Sequence, residues 1–166
     1  MESHTFNFEH LKPGKGSNEQ PYLRLLMFFH KLPHITEEQF HEWWKTVHAD
    51  LTVSAKDFGV YIQRYVQFHS TSAHKEMVRP LGYEILSFDA CGEMHARKME
   101  DWVNFSKSQH FVKALMGMCS TCTRHDAPNF MQLPIHIMAG YDNLIFGSKI
   151  EASGSDGILP GNPRLN

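Results

Sequence analysis

The sequence contains few cysteines, no excess of charge of either sign and no long apolar run. Its three cysteines are odd in number and too few for a disulfide framework, so we expect reduced, structural thiols. Lys and Arg number 16 against 18 Asp and Glu, which gives no reason to expect nucleic acid or an anionic membrane surface as partner. No apolar run approaches the roughly 20 residues of a membrane span. The polar N-terminus lacks the order of a signal peptide, so the sequence predicts a soluble, cytoplasmic protein.

Motifs that bind metals or cofactors are also scarce. The pair Cys119 and Cys122 is a lone C-x-x-C, without the second pair that would complete a zinc site. The sequence has no H-E-x-x-H, phosphate-binding loop, dinucleotide fingerprint or serine-nucleophile motif. We therefore predict neither a metal nor an organic cofactor.

Histidine, in contrast, is abundant. The chain has 12 histidines, against 16 Lys and Arg together. Imidazole titrates near neutral pH, so this enrichment favours proton transfer. Several of the 12 fall in polar segments, where an exposed histidine without a chemical role is the simpler interpretation.

Apolar patterning divides the chain into a leader, one domain and a tail. Residues 1–20 and 149–166 are polar and contain many Gly, Ser or Pro, so we expect mobile ends around a domain at 21–148. The first helix should start at Thr36, which forms a capping box with Gln39. Hydrophobic periodicity predicts, in order, a strand at 22–30, a helix to 51 or 54, strands at 59–70 and 82–90, a helical region at 91–119 broken near 106–108, and a strand at 134–141 that extends to 146 at most.

This order of elements predicts an α+β fold. The sequence β-α-β-β-α-β is the ferredoxin-like arrangement, a split βαβ. Helices on one side of the sheet would leave its other face uncovered, although the first strand is apolar on both faces. Two protomers that stack their open faces would cover them. We therefore predict a homodimer, a dimeric α+β barrel.

The first helix carries the strongest candidate for chemistry. At about 100° per residue, Trp43, Trp44 and Val47 share one buried stripe, and His48 lies at its edge beside Trp44. His48 should then face the space between helix and sheet, in a cavity wide enough for fused rings. The alternative is a half-buried histidine bonded to a backbone carbonyl.

Further candidates lie near strand ends. His30 and His69 end the aromatic faces of the first two strands, where either could be a second acid–base group or simply exposed. Asp89 could orient a histidine or cap the following helix.

Aromatic residues on the strands are candidates for substrate binding. Trp44, Phe28 and Tyr65 could stack on a flat substrate, with Tyr61 on the same strand face as Tyr65. Arg24 could pair with a substrate carboxylate or lie at a wet edge of the sheet.

The segment 26–51, LMFFHKLPHITEEQFHEWWKTVHADL, resembles the opening of EthD-type domains, a family of dimeric α+β barrels. That family shows an apolar strand, a Lys, a short turn, a T-x-E-x-F helix start and a W-x-x-x-H-A segment. The closing phrase at 139–147, AGYDNLIFG, is similar to that of small fungal decarboxylases in the same group. The residues that match the family pattern are Lys31, Thr36, Glu38, Phe40, Trp44, His48 and Ala49.

The resemblance implies a lyase of aromatic polyketide biosynthesis. The relatives act on atrochrysone carboxylic acid and similar anthrone precursors, and only His48 maps onto a motif residue with a chemical role. The expected function is therefore a cofactor-independent decarboxylase of a hydroxylated polycyclic carboxylic acid, with histidine acid–base catalysis. The alternatives are an anthrone oxygenase or dehydratase of the same group, and a non-catalytic protein that binds aromatic ligands.

Overall fold

A computed structural model describes residues 4–14, 18–109, 111–112 and 126–151. The chain divides into two units, Leu23–Ala139 and a smaller one made of Met1–Tyr22 with Gly140–Asn166. The predicted helix from 113 to 119, Cys119, Cys122 and the tail from 152 lie outside the described residues. No helix in the described ranges is long and apolar enough to cross a membrane.

The sheet consists, among the described residues, of four strands in the order β2-β3-β1-β4. Strand β3 lies in the middle and pairs antiparallel with both β1 and β2. A strand order that brings the first and last strands together beside a central third strand is the ferredoxin-like topology. The predicted α+β fold class is therefore confirmed. The strands are β1 (Glu19–Lys31), β2 (Ile62–His69), β3 (Ala90–Ala96) and β4 (Met131–Asn143).

The helices pack on one face of this sheet. Thr36 and Gln39 form the predicted capping box at the start of the first helix. A second capping box, Thr71 with His74, starts a helix in the segment that the sequence suggested was a loop. The described α-helices are α1 (Glu37–Trp43), α2 (Ala49–Val53), α3 (Phe58–Tyr61), α4 (Ser72–Val78) and α5 (Met99–Ser106).

Three predicted segments were misplaced. The third strand occupies 90–96 rather than 82–90, and the second helix starts at Met99 rather than at Cys91. The segment 82–88 has no regular structure, although its residues have the higher β-propensity. Gly92 of this central strand faces Trp44, and a methyl group there would lie in ordinary contact with the Trp44 ring, at 4.0 Å. Residues 59–61, predicted as strand, belong to the short helix α3.

The predicted first helix is interrupted by a π-helical turn at Trp44–His48. The Thr46 hydroxyl donates to the Glu42 carbonyl at 2.5 Å, and such bonding to the preceding turn competes with the backbone and distorts helices. The wider turn rotates the residues that it contains, and Val47, predicted as buried, is 37% exposed. Trp43, which lies in α1 before the turn, is 39% exposed although it was also predicted as buried.

The core of the larger unit forms two clusters under the helices. One combines the aromatic residues Phe29, Phe40, Trp44 and Phe130 with small neighbours. The other surrounds Leu25, Ile62, Met94 and Phe105. The first cluster lies under α1 and the second under α3 and α5. A side chain that lies between the two clusters is therefore held by packing on both sides.

The smaller unit contains the outer ends of β1 and β4. The Asn18 amide nitrogen donates to the Leu144 carbonyl at 3.2 Å, and the Tyr22 hydroxyl donates to Asp142 at 3.1 Å. A single 3₁₀ turn, Glu9–Leu11, precedes them. The mobility expected of residues 1–20 and 149–166, and the domain limits at 21 and 148, stay predictions.

Candidate active site

A small cavity lies between the π-helical turn and the sheet. Its volume is about 50 Å³, space for one or two water molecules. The expectation of a hollow wide enough for fused rings is therefore wrong for the described residues, since ligand pockets usually measure ~300–1,000 Å³. The polar side chains in its wall are His48, Thr52 and Tyr65, and the remaining lining is apolar: Met27, Phe29, Trp44, Gly92, Met94, Phe111, Met131 and Ile135.

His48 is paired with a buried carboxylate. Its Nδ1 lies 2.5 Å from Oδ2 of Asp126, which is 4% exposed. The Trp43 indole N–H donates to the other Asp126 oxygen at 2.8 Å. A carboxylate only accepts hydrogen bonds, so Nδ1 carries the proton of neutral His48 and leaves Nε2 with a free lone pair. A histidine oriented in this way can take up a proton at Nε2 and return it.

Tyr65 provides a second polar group at the cavity. The Gln67 amide donates one hydrogen to the Tyr65 oxygen and one to the Trp44 carbonyl, each at 2.8 Å. The phenol therefore keeps its own proton for another acceptor. Burial raises the pKa of Tyr65, against the opposing effect of the Gln67 hydrogen bond. Tyr65 thus stays protonated at neutral pH and can donate to a substrate oxygen.

Thr52 is fully buried in the cavity wall beside His48 and Tyr65. A hydrogen bond between its hydroxyl and the Tyr65 phenol lowers the pKa of Tyr65, against the larger effect of burial. Thr52 therefore places a second hydroxyl next to the phenol at the cavity.

His69 lies outside the cavity. Its ring packs at a tilt against Trp44, with ring centroids 4.5 Å apart, and its Nδ1 is 2.8 Å from Nδ1 of His41. Burial lowers the pKa of both imidazoles. Trp44 itself lines the cavity, so His69 is separated from His48 by that ring. The proposed catalytic role of His69 stays a prediction.

His30 lies on the opposite face of the sheet from His48, and Asp89 immediately precedes β3 at the end of that strand. The His30 ring stacks on Phe88 at 4.9 Å, and its Nδ1 is 3.6 Å from Asp89. Asp89 also accepts from the Lys75 ammonium at 2.9 Å and from the Lys31 backbone at 3.0 Å. Burial raises the pKa of Asp89, but these two hydrogen bonds outweigh it and hold the pKa below its usual value. The structure therefore does not bring His30 or Asp89 to the cavity.

The predicted binding residues are also divided between the two faces. Trp44 and Tyr65 line the cavity, whereas Phe28 contacts Phe88 on the other face. Arg24, on that same face, forms an ion pair with Glu93 at 2.5 Å. Tyr61 lies in α3 and packs against the second core cluster. A single flat molecule cannot contact Phe28 and Trp44 together.

Sequence reasoning missed Asp126, the partner of His48. Asp126 precedes a 3₁₀ turn, Ala127–Asn129, and follows residues with no periodic pattern. Its 78-residue separation from His48 offers no local spacing that could link the two. Only the three-dimensional packing identifies the pair.

Metal-binding groups are sparse in the described ranges. No three His, Cys, Asp or Glu side chains there are close enough to hold one ion. Cys91 is a free, buried thiol on β3, and burial raises its pKa. The polar groups of the cavity are thus suited to proton transfer and hydrogen bonding.

A sequence profile of the EthD domain matches residues 32–134, well over half of the chain. The chain belongs to the EthD domain family. The match includes the helix that carries His48 and ends within β4. No curated protein sequence matches the chain.

Solved structures share the fold at low identity. An EthD family protein from Bacillus halodurans is 15% identical, with 73% of this chain and 98% of that one covered and a TM-score of 0.47. A dimeric protein with a ferredoxin-like fold from Bacteroides fragilis is 6% identical, with 75% and 99% covered and a TM-score of 0.49. A hydroxynitrile lyase from Passiflora edulis is 10% identical, with 74% and 94% covered and a TM-score of 0.47. At these identities and scores we take no function from them.

The paired imidazoles of His41 and His69 predict a pH-dependent stability. Their lowered pKa values mean that the unfolded chain takes up protons at a higher pH than the native protein does. The stability they contribute is present above the ordinary histidine pKa of about 6.5 and is lost as the pH falls below it. The free energy of unfolding, measured with urea, should be smaller at about pH 5 than at about pH 7. A plot of this free energy against pH should have a shallower slope for His69→Gln than for the wild type. The exposed residue His34 provides the control, since His34→Gln should keep the wild-type slope. Equal slopes in His69→Gln and wild type would contradict the assignment.

Proposed function

We propose that this EthD protein is a cofactor-independent decarboxylase of a hydroxylated polycyclic aromatic carboxylic acid, of the atrochrysone carboxylic acid type made by polyketide synthesis. The observation that carries the proposal is His48, oriented by Asp126 at the wall of a mostly apolar cavity. The resemblance of segment 139–147 to small fungal decarboxylases suggests the substrate class.

The chemistry requires an electron sink and a proton donor. In a carboxylic acid with a neighbouring ketone, the bond between the ring carbon and the carboxylate breaks and carbon dioxide leaves. The bonding electrons pass to the carbonyl oxygen as an enolate. A hydrogen bond from Tyr65, with Thr52 beside it, would stabilise that oxygen.

His48 would complete the reaction. Neutral His48 first takes the proton of the substrate's carboxylic acid at Nε2. After carbon dioxide has left, Nε2 delivers that proton to the ring carbon, and the enolate electrons return to form the new C–H bond. The Asp126 carboxylate stabilises the imidazolium between the two transfers, and His48 ends the cycle neutral. The apolar lining disfavours the charged carboxylate relative to neutral carbon dioxide, which lowers the barrier as the charge is lost.

The cavity volume limits which part of the substrate can enter it. About 50 Å³ accommodates a carboxyl group and the carbon that bears it, but not three fused rings. The lining includes Met27, Met94 and Met131, whose flexible side chains can adapt to a ligand. We assign the cavity to the reacting end of the substrate.

Replacement of His48 should remove most of the activity. His48→Gln is expected to lower kcat by about 10²–10⁴-fold, the usual contribution of a general acid–base group. Asp126→Asn should lower kcat by at least about 10²-fold, because the amide favours the wrong imidazole tautomer. The assay measures carbon dioxide released from atrochrysone carboxylic acid. Product mass distinguishes decarboxylation from dehydration, and oxygen consumption distinguishes it from oxygenation.

The control for this experiment is His34→Gln, at an exposed position in the preceding turn, which should keep the wild-type rate. Circular dichroism should show that all variants are folded. A folded His48→Gln protein that releases carbon dioxide at the wild-type rate would remove His48 from the mechanism.

We further propose that the protein is a homodimer that covers the open face of the sheet. This face carries Phe68 and Met138, which are 66% and 56% exposed. Its central charges are paired within the protomer, since Glu93 accepts from Arg24 at 2.5 Å and pairs with His95 at 2.7 Å. A face with paired charges and exposed apolar side chains can be covered by a second copy at little desolvation cost.

A charge in this face should dissociate the dimer. Phe68→Asp would place a carboxylate in the apolar interface and should yield monomers in light scattering after size-exclusion chromatography. Tyr83→Asp introduces the same charge at a side chain that is 76% exposed and lies outside the sheet, so that variant should remain dimeric. A monomeric wild-type protein would contradict the homodimer, and a dimeric Phe68→Asp variant would place the interface elsewhere.

A further inference from the structure

A second, larger depression lies on the outer side of the helix that carries His48. It is a groove of about 610 Å³, within the range of small-molecule sites. Its floor and walls are formed by Ile35, Trp43, Val47 and Phe130, with polar side chains at the rim. Trp43, the last residue of α1, and Val47, in the π-helical turn, are both partly exposed there.

The groove and the cavity share a thin partition. Phe130 lines the groove, and its ring is 5.0 Å from the ring of His48, which lines the cavity. Trp43 also lines the groove, and its indole N–H holds the Asp126 carboxylate that orients His48. Two side chains of the groove therefore contact the proposed acid–base pair directly.

The polar rim of the groove includes two carboxylates. Glu38 is exposed, whereas Glu42 is paired with Lys45 at 2.6 Å. The Gln39 side chain and the Asn129 side chain complete the rim near Thr46. Carboxylate acceptors repel an anionic group but accept hydrogen bonds from phenols. Exposed tryptophan provides an aromatic face for offset stacking.

From these observations we infer that the groove binds the flat, hydroxylated ring system of the substrate, while the cavity receives only its reacting end. The rim carboxylates direct phenolic hydroxyls into the groove and turn the substrate carboxylate away from it, toward His48. For the two spaces to join, the Phe130 ring, which is 1% exposed and packed in the first core cluster, must move. This inference rests on the proposed function for the identity of the substrate.

The test measures binding separately from turnover. The probe is dihydroxyanthraquinone, a flat phenol without a carboxylate, titrated into the full chain by calorimetry. Val47→Trp fills the groove from an exposed position and should weaken probe binding by about tenfold or more. The matched control, Val53→Trp, makes the same change on α2 at a valine that is 51% exposed and outside the groove, and it should bind the probe as wild type does.

A third variant distinguishes the groove from the cavity. Gly92→Ala adds one methyl group to the cavity, where it would meet Met27 at 3.5 Å without a clash. It should leave the affinity for the probe unchanged and lower the rate of carbon dioxide release. If Gly92→Ala weakened probe binding and Val47→Trp did not, the rings would lie in the cavity and the inference would be overturned.

The remaining outcomes separate the two proposals. If the probe binds and Val47→Trp weakens it, but no carboxylic acid loses carbon dioxide, the groove stands and the decarboxylase proposal fails. If carbon dioxide is released with the same kcat/KM by folded Val47→Trp and Val53→Trp, the groove assignment is overturned and the decarboxylase stands. If the wild-type protein does not bind the probe, the assignment of the groove as the ring-binding site is also overturned.

Discussion

The hydrogen bond between His48 and Asp126 is the interaction on which the site depends. It joins the π-helical turn to the segment that leads into β4, and Trp43 donates to the same carboxylate. Both partners are largely removed from water, which strengthens a charge-assisted hydrogen bond and fixes its geometry. The bond decides which imidazole nitrogen is available to a ligand. The proposed proton transfer, the tautomer of His48 and the position of Trp43 in the groove follow from it.

The fold could be predicted from the sequence because its main signals are local. The apolar alternation of β1 and the capping box of Thr36 and Gln39 are complete within a few residues, and the order of elements then fixes the topology. Strand β3 escaped prediction because small and polar residues give it a low β-propensity, and its place in the sheet comes from pairing with β1 and β2. Helix α4 was missed because its capping box uses His74 in place of Glu or Gln.

The candidate site was predictable only in part. The position of His48 between helix and sheet follows from helical spacing, but the π-helical turn could not be read from a regular projection, so Val47 was assigned to the core. Asp126 is distant in sequence and carries no motif. His30 and His69 lie at or next to the ends of their strands, but His30 is on the other face of the sheet and His69 is separated from the cavity by Trp44. Histidines at the ends of two strands therefore need not face the same cavity.

The two spaces beside His48 explain how a small cavity could serve a large substrate. The cavity provides the buried hydroxyl of Thr52, the phenol of Tyr65 and the imidazole, whereas the groove provides volume and an aromatic face. The π-helical turn contributes to both, since it carries His48 inward and Val47 outward. Such turns are often found at functional sites.

The most direct test of this account is nitrogen NMR of the His48 imidazole. In the wild-type protein, Nδ1 should carry a deshielded proton shared with Asp126. In Asp126→Asn the deshielded proton should disappear and the tautomer ratio should change. A wild-type spectrum in which Nδ1 carries no proton, or one that is unchanged in Asp126→Asn, would contradict the account.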